Sequence, residues 1–411
     1  PDGAILVDKG AVAAIGPTEP IRAHHDASFL DVGGRLVLPG LLDAHTHLYS
    51  ALSAGLEPTG PMDSFPHILE NLWWRLDAVH DEESIYYSAM TGIIDHIKAG
   101  VTTLFDHHAS MECAAGSLEI IASAFREAGV RGTLCFEISE RTGRDAVADQ
   151  IEENIEFYES HNSDSFVRGT MGLHANLTLS GETLSEIADA RPSGMPIHVH
   201  VGEAVQDLSL CEHDGYEGPV DRLHRYGLLD RNSIVVHALH LSKRDAAVLR
   251  EVRPIIVLAA ESNANNGVGH INPAMIDRYL LGTDGMTPDM IEALRYHVLL
   301  LHSLHSDDST ATDAFFGYRG EVQQRFFPST GDFTVGSRAD IAVLDYAPLT
   351  PVTARNIVSH LVYGARQGHA FLTIADGRIL YQNGTLTFMD EAQFRSHARR
   401  AARKLHERFY G

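Results

Sequence analysis

Strand-like and helix-like patterns alternate along the middle of the chain. Short apolar runs rich in Val, Ile and Leu predict buried strands, and apolar residues at helical spacing predict amphipathic helices between them. After the first strand, the predicted strands are 101–107, 130–138, 167–175, 197–201, 234–239, 255–260 and 279–282. The clearest helical patterns are 118–128, 146–158, 220–226 and 245–252.

The first strand lies within residues 38–47, where a Pro-Gly turn leads into an apolar run that ends at His45 and His47. Alternate residues of a strand share a face, so the two imidazoles point the same way, as does Asp43. With this strand the chain offers eight β-units over about 290 residues, and an α/β barrel takes about 250 or more. We therefore predict an α/β fold, a (β/α)8 TIM-like barrel over residues 38–330. No glycine-rich nucleotide fingerprint follows an early strand, which disfavours an open doubly wound sheet.

Both ends of the chain predict short strands and turns. The pairs Asp376-Gly377 and Asn383-Gly384 are hairpin signals near the C-terminus. Because neither end is long enough to enclose a core, we predict one small β-sandwich domain built from residues 1–37 and 331–390. Residues 391–411 place apolar side chains on one side of a basic helix, which predicts a C-terminal helix packed on the body.

Composition excludes several classes of protein. The chain has 411 residues and is 44% hydrophobic, which is typical of a folded enzyme with a large core. A net charge of −23 without a basic stripe disfavours nucleic-acid binding. No apolar run of about 18 residues is present, so no membrane-spanning helix is expected. Three unevenly spaced cysteines and no visible signal-peptide pattern indicate a reducing compartment, and we expect a cytoplasmic protein.

Polar residues stand at the ends of four predicted strands. They are His45 and His47 on the first, His198, His200 and Glu203 on the fifth, His237 and His240 on the sixth, and Asp284 on the eighth. Any one of them has a structural explanation, such as a buried histidine bonded to a carbonyl. Since barrel active sites lie at the carboxyl ends of the strands, the joint pattern predicts that these side chains face one crevice.

The runs 39–47, 198–203, 237–241 and 282–285 resemble the amidohydrolase superfamily, in its deaminase/chlorohydrolase branch. Within that branch, segments 70–77, 105–110 and 261–263 look most like the SsnA-type aminohydrolases. The resemblance implies one divalent metal ion, zinc first and iron as the alternative. The ligands that it implies are His45, His47, His200 and Asp284.

The resemblance also implies catalytic roles. Glu203 is the expected proton shuttle, and Asp284 takes the first proton from water. His237 is expected to hydrogen-bond the developing tetrahedral oxygen, although it is a further metal ligand in some members. His198 is expected to be structural or to support a ligand. His240 has no expected role, because it cannot share a strand face with His237 unless the strand ends or bulges between them.

Candidate substrate contacts come from two strands and one long connection. On strand four, His174 occurs where members with two metals carry a lysine, which favours a single metal and makes His174 a candidate contact. Strand seven ends at Asn263, a second candidate, but lacks the Asn-Pro that often precedes this Ser-Asn. Segment 49–81 is the natural lid, and its Trp73 can stack on a flat ring. Alternatively, Trp73 and Trp74 pack a helix start onto the barrel.

The function implied by the resemblance is metal-dependent hydrolysis of a C–N bond in a nitrogen heterocycle, by attack of hydroxide formed at the ion. This describes an aminohydrolase or deaminase acting on a small-molecule substrate. Hydrolytic dechlorination and cyclic-amide opening on the same scaffold are alternatives, and a non-catalytic metal or ligand binder is a third. Glu203, which would be idle in a binder, argues against the third. A homodimer is an expectation at the level of the family.

Overall fold

The computed structural model describes residues 2–365 and 370–411. The strands are β1 (Ala4–Asp8), β2 (Ala11–Gly16), β3 (Val37–Pro39), β4 (Leu41–Thr46), β5 (Val101–His108), β6 (Arg131–Ile138), β7 (Val167–Gly169), β8 (Met171–Leu173), β9 (Ile197–Val201), β10 (Ile234–His237), β11 (Ile255–Leu258), β12 (Leu280–Leu281), β13 (Ile341–Leu344), β14 (Ala370–Ala375), β15 (Arg378–Gln382) and β16 (Thr385–Leu386). The longer helices are Thr18–His24, Glu82–Lys98, Ser117–Ala128, Val147–His161, Gly181–Ala190, Val205–His213, Pro219–Arg225, Lys243–Val252, Ala260–Asn265, Met290–Ser303, Tyr318–Phe326 and Glu391–Tyr410.

Parallel strands form a nearly closed barrel in the order β4-β5-β6-β8-β9-β10-β11-β12, with β7 also paired to β6. The two outer strands meet through one parallel bridge between Thr46 and Asp284. The backbone N–H of Asp284 donates to the carbonyl of His45 across this junction, at 2.9 Å. The predicted TIM-like barrel is therefore confirmed. The predicted strand 167–175 is interrupted at Thr170, between β7 and β8.

Asp43 holds this junction, which we call the seam, together. Its Oδ1 accepts hydrogen bonds from the backbone N–H groups of Thr283 (3.0 Å) and His45 (3.2 Å). Its Oδ2 accepts from His96 Nε2 at 3.0 Å and from the Thr283 hydroxyl. The Asp43 side chain is fully buried, and it ties β4 to the segment after β12 from both sides.

Strands from both ends of the chain pair in a second, antiparallel sheet. Its order is β16-β15-β14-β13-β3, and β1 and β2 form a separate hairpin. The predicted turns Asp376-Gly377 and Asn383-Gly384 both have positive φ at their two central residues, as a type I′ hairpin requires. Shared β-structure from both chain ends is confirmed. The domain division at residues 37 and 331 stays a prediction.

The helix Glu391–Tyr410 begins at the predicted residue and packs on the helix Glu82–Lys98. Its buried side chains are Ala398, Ala401, Leu405 and Phe409. Its basic side chains form ion pairs with acidic residues of the body, such as Lys404 Nζ with Glu83 Oε2 at 2.6 Å. Across residues 2–365 and 370–411, no helix combines the length and apolarity that crossing a membrane requires. Cys113, Cys135 and Cys211 are unpaired.

A buried ion pair connects the barrel to the terminal sheet. Arg131, which begins β6, donates from Nη1 to Asp340 Oδ2 at 2.6 Å, and their side chains are only 4% and 2% exposed. The second guanidinium nitrogen contacts Asp376 at 3.0 Å. Asp340 in turn accepts the backbone N–H of Asp376 at 2.8 Å. The pair therefore fixes the first hairpin of the terminal sheet against the bottom of the barrel.

We expect Arg131→Met to lower the free energy of unfolding by about 3–5 kcal/mol, because it leaves a buried carboxylate without its partner. The matched control is Arg126→Met, whose partner Glu119 is 57% exposed, and which should cost less than about 1 kcal/mol. Urea unfolding followed by circular dichroism measures both. Equal losses in the two variants would contradict the proposed role of the pair.

Candidate active site

A cavity opens at the carboxyl ends of the barrel strands. Its floor carries imidazoles and carboxylates, and one wall comes from the segment between β4 and the helix Glu82–Lys98. That wall presents the apolar side chains Phe65, Leu69, Trp73 and Trp74. The segment predicted as a lid thus covers one side of the polar floor.

The four predicted metal ligands meet on this floor. His45 and His47 come from the end of β4, His200 from β9, and Asp284 from the turn after β12. Asp284 Oδ1 lies 3.2 Å from His47 Nε2 and 3.7 Å from His45 Nε2. One nitrogen each of His45, His200 and His237 lie within 4.8 Å of one another. These two groups share His45, so the four side chains are neighbours, with His47, His200 and Asp284 lining the cavity and His45 fully buried beside them.

The protons of the candidate ligands are held on their far sides. His47 Nδ1 donates to the carbonyl of His107 at 2.7 Å, and His200 Nδ1 donates to that of His174 at 2.9 Å. Since a carbonyl only accepts, the neutral His200 ring presents a bare Nε2 to the cavity floor. Burial opposes a charge on His47, but the contact with Asp284 raises the pKa of His47 to about 9, so a metal ion bound there would displace the Nε2 proton. His45 Nδ1 lies 2.9 Å from His198 Nε2, which gives His198 the supporting place expected for it.

The donor set fits a divalent cation. His45 Nε2 and His200 Nε2 are buried and have no hydrogen-bond partner among the described residues. Burial lowers the pKa of His45 to about 4, and it lowers the pKa of His200 well below its ordinary value, so both rings are neutral near pH 7. Three neutral imidazole nitrogens and one carboxylate are ligands that zinc accepts in proteins.

Glu203 and His237 stand beside these ligands. His237 Nε2 lies 3.4 Å from Glu203 Oε2 and 3.9 Å from Asp284 Oδ2. Burial raises the pKa of Glu203 to about 7, and the neighbouring Asp284 adds to the effect. A carboxyl group with this pKa can both accept and donate a proton at neutral pH.

Two site residues, His237 and Asp284, and the neighbouring Ala238 have left-handed backbone conformations. His237 has φ 70°, Ala238 has φ 51° and Asp284 has φ 58°. Such conformations cost about 1–3 kcal/mol each in residues other than glycine, and they occur preferentially at functional sites. They also end β10 at His237, although the sequence predicts a strand to residue 239. His240 consequently leaves the cavity, and its Nε2 bonds the carbonyl of Val268 at 2.7 Å.

The predicted substrate contacts occupy two different places. His174 and Trp73 line the cavity. Asn263 lies behind His237, and its Oδ1 accepts from His237 Nδ1 at 2.9 Å. The chain turns directly from β11 into the helix Ala260–Asn265, which carries this amide to the back of His237. The structure therefore gives Asn263 a positioning contact in place of a position in the cavity wall.

A buried charge cluster in the wall was not predicted. Glu137, at the end of β6, lines the cavity and accepts a hydrogen bond from Arg141. Arg141 also donates to Asp77 Oδ2 at 2.6 Å, and its guanidinium lies 5.8 Å from the Trp74 ring centroid. Glu137 carries the same signal as the predicted residues, a polar side chain at a strand end. Arg141 and Asp77 lie in connections and carry no such signal.

Comparison with known proteins agrees with this architecture. A family model described as "Amidohydrolase family" matches residues 36–380. A 5′-deoxyadenosine deaminase of Methanobrevibacter smithii is 28% identical, over 98% of this chain and 94% of its own length. A 5-methylthioadenosine/S-adenosylhomocysteine deaminase of Haloarcula marismortui is 28% identical, over 99% and 94%. A zinc-bound adenosine deaminase from Xanthomonas campestris superposes with TM-score 0.85 at 21% identity, over 99% and 94%.

We expect His200→Ala to lose bound metal, because it removes one of the converging bare nitrogens. The control is His240→Ala, whose ring lies outside the cavity. Purified variants are incubated with zinc, and metal per chain is measured by mass spectrometry together with the zinc-dependent rise in Tm. The His240 variant should match the parent protein. Full metal content and an unchanged rise in Tm for His200→Ala would exclude His200 as a ligand.

Proposed function

Because the chain belongs to the amidohydrolase family, we propose that it is a metal-dependent hydrolase that removes an amino group from a nitrogen heterocycle. The observation that carries the proposal is the convergence of bare imidazole nitrogens with Asp284 and Glu203 in one cavity. The names of the curated relatives, which are deaminases of adenine nucleosides, support an amino-bearing ring as substrate.

In this proposal His45, His47, His200 and Asp284 hold one divalent ion. Zinc is the first choice, since imidazole and carboxylate suit it and the Xanthomonas campestris deaminase holds zinc. Iron is the alternative, which metal analysis of the purified protein distinguishes. When bound, such an ion acidifies water and polarises the carbon under attack.

The chain's own carboxylates move the protons. Asp284, on the cavity floor, takes the first proton from water. Glu203 donates a proton from Oε2 to the ring nitrogen. The resulting carboxylate then takes the remaining proton of the attacking water and passes it to the departing ammonia, and the proton held by Asp284 restores Glu203. A pKa of about 7 allows Glu203 to act first as acid and then as base near neutral pH.

His237 is held for a hydrogen bond to the developing oxygen. Its Nδ1–H donates to Asn263, so a donor at Nε2 requires a second proton. Glu203 Oε2, 3.4 Å away, can share that proton with it. Removing one such donor from comparable sites costs about 2.7–4 kcal/mol of transition-state stabilisation. Without the second proton, His237 Nε2 can serve as a further metal ligand, because one ligand atom each of His45, His200 and His237 lie within 4.8 Å of one another.

Trp73 and His174 are the proposed ring contacts in the cavity wall, with Trp73 stacking on the flat face. The TIM-like scaffold with both chain ends in one sheet supports a small β-domain made of residues 1–37 and 331–390, beside a barrel of residues 38–330. Its boundaries, the cytoplasmic location and a homodimer stay predictions.

The proposal is tested by ammonia release from a panel of amino-bearing purines, pyrimidines and triazines, with and without a chelator. We expect release from at least one ring type, lost with chelator and restored by zinc. Chloride release from chlorotriazines would show that the enzyme is a dechlorinase. Opening of cyclic amides without ammonia release would show that it is a cyclic amidase. Tight ring binding without any product would make the protein a binder.

We expect Glu203→Gln to keep its metal but lose about 10²–10⁴-fold in kcat, because the amide cannot carry the proton. In the parent protein Glu203 must carry a proton before it can donate to the ring nitrogen, so kcat/KM should fall as the pH rises through about 7. The control is Glu212→Gln on the exposed side of the following helix, which should leave the rate unchanged. A retained rate in Glu203→Gln would exclude Glu203 as the proton carrier.

A further inference from the structure

Glu137 presents an unused acceptor to the cavity. Its Oε1 accepts the Arg141 guanidinium, while no donor of the described residues hydrogen-bonds to Oε2. Glu137 is only 4% exposed, and it lines the cavity. Arg141 is itself held by Asp77, which fixes the orientation of the Glu137 carboxylate.

The histidine beside that oxygen cannot supply a proton to it. His107 Nδ1 lies 3.4 Å from Glu137 Oε2. The other ring nitrogen, Nε2, lies 3.1 Å and 3.2 Å from the carbonyls of Leu173 and His198, so it carries the hydrogen. Nδ1 of the neutral ring is therefore a bare acceptor, and it is buried without a hydrogen-bond partner among the described residues.

His174 adds a second bare nitrogen on the same wall. The Thr178 hydroxyl donates to the carbonyl of Ala175, so it accepts from His174 Nδ1 at 2.7 Å. The neutral His174 ring then presents an Nε2 lone pair to the cavity. One ligand atom each of Glu137, His174 and His200 lie within 4.8 Å of one another. A ring seated beside His200 thus meets a wall made of acceptors.

We propose that Glu137, held in place by Arg141, is a specificity-determining residue that binds an N–H donor of the heterocycle close to the reacting carbon. This inference rests on the proposed function. Its substrate class is a ring with a lactam-type N–H beside the amino-bearing carbon. Rings that present only nitrogen lone pairs at this edge are rejected, because two facing acceptors lose the hydrogen bonds that both made to water.

Two ring probes separate donor from acceptor at the same position. Isocytosine carries a ring N–H beside its amino-bearing carbon, and 2-aminopyrimidine carries lone pairs on both sides. The only tryptophans of the chain, Trp73 and Trp74, both line the cavity, so quenching of intrinsic fluorescence reports binding there. The zinc-loaded Glu203→Gln protein serves as the parent, since turnover is then suppressed.

We expect the parent to bind isocytosine at least about 10-fold more tightly than 2-aminopyrimidine. Adding Glu137→Gln should weaken the binding of isocytosine by about 10- to 100-fold and change the binding of 2-aminopyrimidine by no more than a few-fold. Glu137→Asp, which withdraws the carboxylate by one methylene, should act in the same direction and provides the test if the first variant does not fold. The matched control is Glu140→Gln, three residues further on and outside the cavity lining.

The inference is overturned if the parent shows no preference between the probes, if neither probe binds, or if Glu137 substitution weakens both probes equally. The last result would make Glu137 a structural partner of Arg141. The outcome is independent of catalysis. Preferential binding of isocytosine without ammonia release from any ring would refute the proposed deaminase activity and keep the role of Glu137 in recognition.

Discussion

Hydrogen bonds across the seam between β4 and the segment after β12 are the constraint on which the site depends. Two proposed metal ligands, His45 and His47, stand on one side of this seam, and Asp284 stands on the other. The His45 carbonyl accepts the Asp284 N–H at 2.9 Å, and Asp43 bonds the backbone on both sides. The hydrogen bonds that close the barrel therefore also bring the proposed metal ligands together.

The floor of the cavity carries an excess of hydrogen-bond acceptors over donors. His200 and His107 donate their ring protons to backbone carbonyls, which leaves lone pairs directed inward. Burying so many acceptors without donors costs free energy. A cation bound beside His45 would satisfy some of these acceptors, and a ring with an N–H donor bound beside Glu137 would satisfy others. Both proposals thus derive from the same imbalance.

Much of the fold was predictable from apolar periodicity. The strand Ile197–Val201 and the helix Glu391–Tyr410 begin where the sequence predicts them, because each is a local pattern with a clear boundary. The break at Thr170 and the end of β10 at His237 were not predictable. Both depend on how the backbone meets its neighbours, and a left-handed His237 has no compositional signature.

The site residues also divide into those that local sequence patterns predict and those that depend on tertiary contacts. Residues at strand ends were found because barrel geometry alone brings them together, and Glu137 could have been found in this way. Arg141 and Asp77 could not, since their pairing joins two connections far apart in sequence. Asn263 was predicted to contact the substrate because it follows the end of a barrel strand, as the other site residues do. Only the tertiary structure shows that the following helix turns its amide toward His237.

The pairing of β3 with β13 has a consequence for synthesis on the ribosome. Val37 pairs with Val343, so β3 and the start of the barrel emerge long before their partner exists. Until then the nascent chain exposes an unpaired edge and an open sheet, a state prone to misassociation. Nascent chains of this protein are therefore expected to need protection by chaperones until β13 has emerged.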